Sequence, residues 1–192
     1  MSKSPELGVC YYPEHWPEKM WITDAENMHK NGITWVRIAE FAWSRIEPSS
    51  GVFDWNWLDK IVDILGNNGL KIVMCTPTAT PPKWLVDQMP DMVAIDENGQ
   101  TRKFGSRRHY SFSHIGYQKE SQRITKAIAE RYGQNNFVKA WQTDNEFGCH
   151  ETTYSWCLST LQEFRIWLKK KYQNIDELNK SWGNVFWSME YR

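Results

Sequence analysis

The stretch Glu6–Glu18, ELGVCYYPEHWPE, decides the fold class of this chain. Its first half is a short apolar strand pattern that ends at Pro13. The turn that follows, YYPEHWPE, contains no glycine. A doubly wound dinucleotide-binding sheet requires a glycine-rich turn directly after its first strand, so that the backbone can approach a phosphate. The stretch therefore favours a barrel.

Strands and helices alternate outward from this stretch. Helical spacing from Pro17 places Trp21, Ala25 and Met28 on one face, and Asn31–Gly32 ends that helix. A second helix is predicted over 54–69, with Asp54 as its N-cap. The three further strands are predicted at TWVRIAEF (34–41), LKIVMCTP (70–77) and FVKAWQTD (137–144).

The second half of the chain combines a long loop with two longer helices. Residues 78–114 are irregular apart from a short helix near PPKWLVDQM. Ile124, Ile128 and Tyr132 mark the next helix. A last long helix is predicted over 153–172, with its inward face formed by Leu161, Phe164 and Leu168.

This alternation predicts an α/β protein with a parallel sheet. The strands are mostly apolar, as expected of strands that are covered on both faces. A complete (β/α)8 TIM barrel needs about 250 residues, and this chain of 192 residues supplies four βα units. We therefore expect residues 1–192 to be the N-terminal, incomplete portion of one barrel domain.

Composition excludes several classes of partner. Lysine plus arginine and aspartate plus glutamate both number 23, so nothing suggests binding to nucleic acid or to an anionic membrane. The first residues have no apolar signal core and no run of 18 apolar residues occurs, so we expect a soluble, cytoplasmic protein. Cys10 and Cys75 lie in apolar runs and are predicted to be buried thiols, whereas Cys149, His150 and Cys157 match no tight zinc spacing.

The stretch WQTDNEFG (141–148) is the strongest candidate for a site. In (β/α)8 barrels the active site lies at the C-terminal ends of the strands, where this chain carries carboxylates, arginines and aromatic rings. No phosphate loop and no nucleophile elbow is present. The set suits a neutral, polyhydroxylated ligand and consists of Tyr11, Tyr12, Glu14, His15, Arg37, Glu40, Thr76, Arg107, Arg108, His109, Asp144, Asn145 and Glu146.

Sugar hydrolysis would use part of this set directly. It needs one carboxylic acid that protonates the leaving oxygen and a second carboxylate opposite. Glu146 is the candidate acid, and Asn145 could donate to the hydroxyl beside the reacting carbon. Alone, an Asn-Glu pair is more often a surface turn; its place at the end of the fourth strand favours a site. Strand alternation separates the two side chains, so they can share one sugar only if the pleat breaks there.

At this point the chain resembles the N-terminal part of a glycoside hydrolase of family 42, the β-galactosidases of the retaining (β/α)8 clan. The segments that carry the resemblance are GVCYYPEHWPE, WVRIAEFAWSRIEPSSGVFDW, PTATPPKWL, FGSRRHYS and WQTDNEFG. The resemblance implies retaining hydrolysis of terminal β-D-galactosides without a cofactor. It implies Glu146 as acid/base, with Arg37, Arg107, Asn145 and Trp187 binding the galactose.

Two departures from the family pattern shape the expectations. The family nucleophile is a glutamate on a late barrel strand, which this chain does not contain, so we expect the isolated chain to be inactive. Some members hold zinc with four cysteines, but the matching positions are Ser111, Ser155, Cys157 and Thr160, so we expect no such zinc.

Several points stay open on the sequence. The resemblance also implies that the full-length protein could be a homotrimer. The alternatives to a β-galactosidase are another retaining glycosidase of the clan, of β-glucosidase or α-L-arabinopyranosidase type, and a non-catalytic sugar-binding half-barrel.

Overall fold

A computed structural model describes residues 5–149 and 152–192. Four strands form one parallel sheet in the order β1-β2-β3-β4, each pairing with the next along the chain. Chain order and sheet order coincide, as they do in successive βα units of a barrel. The strands are β1 Leu7–Cys10, β2 Ile33–Ile38, β3 Lys71–Cys75 and β4 Val138–Gln142.

Helices connect the strands and continue beyond β4. Two 3₁₀ turns, Pro13–His15 and Glu18–Met20, lead from β1 into the first helix, and another, Phe186–Ser188, follows the last. The helices are α1 Trp21–Lys30, α2 Trp43–Ile46, α3 Asn56–Asn67, α4 Lys83–Gln88, α5 Ile115–Tyr132, α6 Leu158–Tyr172 and α7 Ile175–Trp182.

The core lies between the sheet and helices α1, α3 and α5. Trp21 and Ala25 of α1 are buried, as the helical spacing predicts, and α1 packs against β2 and α3. Ile61 of α3 and Ile124 of α5 are fully buried. The parallel sheet and its helical cover confirm the predicted βα units.

Two local predictions near the N-terminal half were wrong. Cys10 is exposed rather than buried, because in the described part of the chain β1 pairs with β2 alone and its other edge is uncovered. The N-cap of α3 is Trp55 rather than Asp54. Asp54 lies one residue earlier, where its Oδ1 still accepts the backbone N–H of Asn56 at 3.2 Å.

The last long helix also differs from its prediction. Helix α6 begins at Leu158 rather than near residue 153, because residues 152–156 are not helical and its N-cap, Cys157, has an extended backbone conformation. Leu161 and Phe164, predicted to face inward, are 43% and 47% exposed. An inward face needs an opposing element, and the described residues supply α7 but no strand after β4.

Within residues 5–149 and 152–192, no helix is both long and apolar enough to cross a lipid bilayer.

Candidate active site

The C-terminal ends of the strands bring the predicted rim residues together. Because all four strands are parallel, their carboxyl ends meet at one edge of the sheet. Tyr12 follows β1, Arg37 and Glu40 lie at the end of β2, and Asn145 and Glu146 follow β4. Arg107 reaches the same edge from the long loop between β3 and α5.

The strand pleat breaks directly before the Asn-Glu pair, as predicted. Strand β4 ends at Gln142, and both Asp144 (φ 59°) and Glu146 (φ 48°) adopt left-handed backbone conformations. Asp144 holds this turn, since its backbone N–H donates to Thr76 Oγ1 at 2.8 Å and its Oδ1 accepts the N–H of Asn145 at 2.5 Å. Asp144 therefore shapes the loop.

Glu146 pairs with Arg107. Arg107 Nη2 donates to Glu146 Oε2 at 2.6 Å, and both side chains are about half exposed, Glu146 at 47%. A general acid keeps its proton more easily when it is buried or beside an anion. In the described part of the chain, the Glu146 side chain is about half exposed and its ion-pair partner is a cation.

Arg37 does not contact Glu146 through any hydrogen bond or ion pair of the described residues. Its Nη2 lies 2.5 Å from Glu40 Oε2, and Glu40 Oε1 accepts the hydroxyl of Tyr12 at 2.5 Å. Burial opposes the charge on Arg37, but the carboxylate of Glu40 raises the pKa of the guanidinium above its usual value. Arg37 is therefore a permanent cation whose charge Glu40 neutralises.

Gln142 connects Arg37 to the Asn-Glu pair, a role that the sequence reasoning missed. Arg37 Nη1 donates to Gln142 Oε1 at 2.7 Å, and Gln142 Nε2 donates to Asp144 O at 2.9 Å. The same Nε2 lies 3.4 Å from Asn145 Oδ1. A polar residue at the end of an otherwise apolar strand was the available signal.

Left-handed backbone conformations of non-glycine residues recur at this rim, and the described residues have three others elsewhere, at Gln173, Trp187 and Ser188. Four non-glycine residues there have positive φ: Ala39 (71°), Arg108 (49°), Asp144 (59°) and Glu146 (48°). Each is a predicted site residue or lies next to one. Strain of this kind costs free energy of folding and clusters at functional sites in proteins.

Glu14 and Trp187 stand apart from the other candidates. Both carboxyl oxygens of Glu14 are buried and have no hydrogen-bond partner within residues 5–149 and 152–192, and burial raises the pKa of this group. Trp187 is 80% exposed, and within the described residues no hydrogen bond or ring contact joins it to Arg37, Asn145 or Glu146. The structure therefore brings together Arg37, Asn145, Glu146 and Arg107, but not Trp187.

The four positions that would match a zinc site converge around Cys157. We name Ser111, Ser155 and Thr160 the hydroxyl cluster. Ser111 Oγ lies 3.1 Å from Thr160 Oγ1, which lies 3.3 Å from Cys157 Sγ, and Ser155 Oγ accepts the N–H of Cys157 at 3.3 Å. Burial opposes a thiolate, but these hydroxyls and that of Ser159 favour it and lower the pKa of Cys157 to about 6.

Metal-binding groups are otherwise scarce. No group of three or more histidine, cysteine, aspartate or glutamate side chains suited to a metal ion occurs in the described part of the chain.

Comparison with known proteins gives consistent results. The family model described as β-galactosidase, that of glycoside hydrolase family 42, matches residues 10–192. A β-galactosidase of Halorubrum lacusprofundi is 50% identical over 96% of this chain, and one of a Thermus species is 50% identical over 97%. The crystal structure of a β-galactosidase from the psychrophile Marinomonas ef1 superimposes on 98% of the chain with a TM-score of 0.96 and 55% identity.

The matches also define how much of those proteins this chain represents. It spans 26% and 29% of the two sequence relatives and 29% of the solved structure. The four parallel strands are the first half of the barrel that those relatives share. The chain belongs to glycoside hydrolase family 42 and forms an N-terminal part of its (β/α)8 barrel.

Proposed function

We propose that the protein of which this chain is part is a retaining β-galactosidase that removes terminal, non-reducing β-D-galactose. One observation carries the proposal. The turn after β4 breaks the pleat at Asp144 and Glu146, so Asn145 and Glu146 can face one ligand at the strand ends. Membership of family 42 and relatives named β-galactosidase support galactose as the sugar.

Glu146 acts as the general acid and then as the general base. It protonates the departing glycosidic oxygen while a glutamate outside residues 1–192 attacks the anomeric carbon and forms a glycosyl-enzyme. Glu146 then takes a proton from water, which displaces the enzyme carboxylate with net retention. The two carboxyl groups should lie about 5–5.5 Å apart.

The remaining predicted residues bind the sugar. Asn145 donates to the hydroxyl beside the anomeric carbon, while Arg37, Arg107 and Trp187 complete the galactose subsite. The half exposure of Glu146 and its pairing with Arg107 describe the chain alone. We expect the later barrel strands to cover Glu146, and the bound sugar to compete for Arg107.

The chain by itself should be inactive, because it lacks the nucleophile. For the whole protein we propose a homotrimer, in line with the family resemblance, which light scattering would test. We also propose a cytoplasmic location, supported by the free thiols of Cys10, Cys75 and Cys157, since free thiols are typical of reducing compartments.

The decisive experiment is Glu146→Ala in the full-length protein. Loss of a general acid should lower kcat/KM about 10²- to 10⁴-fold on a galactoside with a poor leaving group. An aryl galactoside with an activated leaving group should lose much less, and added azide should yield β-galactosyl azide. Glu163→Ala is the matched control, because Glu163 also follows β4 but lies on α6.

Unchanged activity of Glu146→Ala, with no azide product, would show that Glu146 is not the acid/base. A panel of aryl glycosides would test the sugar, since the barrel and the Asn-Glu pair are shared across the clan. Faster turnover of glucosides or arabinosides than of galactosides would contradict the proposed specificity.

A further inference from the structure

The geometry points to Gln142 as a positioning residue: held by Arg37, it orients the Asn145 amide so that its Nδ2 faces the substrate as a hydrogen-bond donor. This inference rests on the proposed function. Gln142 is the last residue of β4, three positions before Asn145, and its side chain lies between Arg37 and the turn that carries Glu146.

The Arg37 guanidinium sets the direction of the hydrogen bonds that Gln142 makes. A guanidinium can only donate, so the atom of Gln142 that faces Arg37 Nη1 at 2.7 Å must be the acceptor, Oε1. The amide nitrogen Nε2 of Gln142 must then point the other way. An amide side chain, whose oxygen and nitrogen are otherwise hard to distinguish, is thereby given one orientation.

The amide nitrogen of Gln142 holds the turn that carries Asn145. Gln142 Nε2 has two hydrogens and faces two acceptors, Asp144 O at 2.9 Å and Asn145 Oδ1 at 3.4 Å. The shorter bond holds the carbonyl of Asp144, a residue with a left-handed backbone. The longer bond turns the Asn145 oxygen toward Gln142, which leaves Asn145 Nδ2 to donate elsewhere. Hydrogen bonds in active sites commonly shorten when substrate binds.

The positive charge of Arg37 is neutralised by Glu40. Glu40 lies 2.5 Å from Arg37, and the buried Glu40 carboxylate also accepts the hydroxyl of Tyr12. Arg37 thus orients Gln142 so that its N–H groups face the turn, and because Glu40 neutralises Arg37, no net positive charge is added beside Glu146. The four residues Tyr12, Glu40, Arg37 and Gln142 link the ends of β1, β2 and β4.

A donor at Asn145 Nδ2 has a defined use in a galactosidase. The sugar 2-hydroxyl is adjacent to the anomeric carbon, and accepting a bond from Asn145 leaves its own proton free to donate to another acceptor. Hydrogen bonds to this hydroxyl strengthen in the transition state of glycoside hydrolysis. Gln142 would thus influence the rate through Asn145 without touching the sugar.

The test is Gln142→Glu in the full-length protein, assayed on an aryl β-galactoside and its 2-deoxy analogue. Glutamate keeps the size and still accepts from Arg37, but it cannot donate to Asn145. We expect the ratio of the two kcat/KM values, which reports the 2-hydroxyl contribution, to fall about 10- to 100-fold. In an Asn145→Ala background, Gln142→Glu should change that ratio less than about twofold.

Gln118→Glu is the matched control, because Gln118 is also half-buried and its Nε2 donates to a backbone carbonyl, that of Phe112, at 2.8 Å. It should leave the ratio unchanged, and circular dichroism of each variant checks folding. If Gln142→Glu folds poorly, the measurement is repeated with Gln142→Met, which also lacks the donor. Gln142→Met must then lower the ratio likewise. An unchanged ratio in a folded Gln142 variant overturns the inference.

The azide experiment separates this inference from the proposed function. If Glu146→Ala yields no galactosyl azide, the proposed function fails first. If azide product forms and the 2-hydroxyl ratio is indifferent to Gln142, only the positioning role is refuted.

Discussion

Glu47 should stabilise the fold far more than Glu120, a partly exposed acid that binds the same arginine. Its side chain is fully buried and accepts hydrogen bonds from Trp43 Nε1 at 2.9 Å and from the backbone N–H of Gly51 at 2.7 Å. Arg123 Nη2 of α5 lies 2.7 and 2.8 Å from its two oxygens. Glu47 thereby connects the segment that follows β2 to α5.

The magnitude for Glu47→Ala follows from these contacts. The indole N–H of the buried Trp43 would lose its acceptor, at a cost of about 1–3 kcal/mol. Loss of the other bonds and the cavity left by the side chain bring the expected decrease in unfolding free energy to about 3–5 kcal/mol. Gly51 and Arg123 are solvent-accessible enough to regain water, which keeps the cost from rising further.

Glu120→Ala is a matched control on the same guanidinium. Glu120 Oε2 lies 2.7 Å from Arg123 Nη2, as close as Glu47, but its side chain is part-exposed and the pair spans one helical turn. Such pairs contribute about 0–1 kcal/mol. Comparing the two variants separates burial from distance as the source of stability.

Urea unfolding followed by circular dichroism and tryptophan fluorescence would measure both variants. With a slope of about 2 to 3 kcal/mol per molar urea, Glu47→Ala should lower the midpoint by about 1–2.5 M, and Glu120→Ala by less than about 0.5 M. Coincident transitions by the two probes are required for this comparison. Equal midpoints for the two variants would refute the reasoning from burial.

Three further predictions concern packing, pH and metal. Gly66→Ala should lower the unfolding free energy by about 1–2 kcal/mol although alanine has the better helix propensity, because the new Cβ would lie 2.1 Å from Cγ of Phe137. Asn67 is exposed on the same helix, so Asn67→Ala should lower the unfolding free energy by less than about 0.5 kcal/mol in the same urea assay. Burial raises the pKa of Tyr110 to about 12, above its value near 10 in the unfolded chain, so the stability that the neutral Tyr110 contributes is fully present below pH 10 and is lost as the pH rises toward 12. Tyr110→Phe should remove about 2–3 kcal/mol of this pH dependence, measured as the unfolding free energy between pH 9 and 12. The chain should bind less than stoichiometric zinc by mass spectrometry, whereas replacing all three residues of the hydroxyl cluster by cysteine should create a site for one zinc per chain; zinc in the parent, or none in the variant, would contradict this.

Local sequence patterns correctly predicted the burial of elements that pack against their neighbours along the chain. Trp21 and Ala25 on α1, and the apolar run of β3, face helices or strands that are adjacent in the chain, so periodicity was sufficient. Leu161 and Phe164 have the same helical spacing, yet they are half exposed. Their burial depends on an opposing element, which spacing within one helix cannot supply.

The candidate site divides in the same way. The place of Asn145 and Glu146 after a strand, and the break in the pleat, followed from alternation and chain order. The partners did not: Arg37 and Gln142 are 105 residues apart, and Arg107 and Glu146 are 39 apart. Which polar atoms meet across such separations depends on strand register and loop path, which no local pattern encodes.

The positive φ values at Ala39, Arg108, Asp144 and Glu146 have a consequence for protein engineering. Each of these residues would be more relaxed as glycine, by about 1 kcal/mol, so the rim is locally frustrated. Redesign guided by folding energy alone would drift toward glycine or asparagine at all four positions. Such designs would gain thermal tolerance and keep the left-handed turns, but they would lose the side chains of Arg108, Asp144 and Glu146 and with them the contacts of the rim, so these positions should be held fixed.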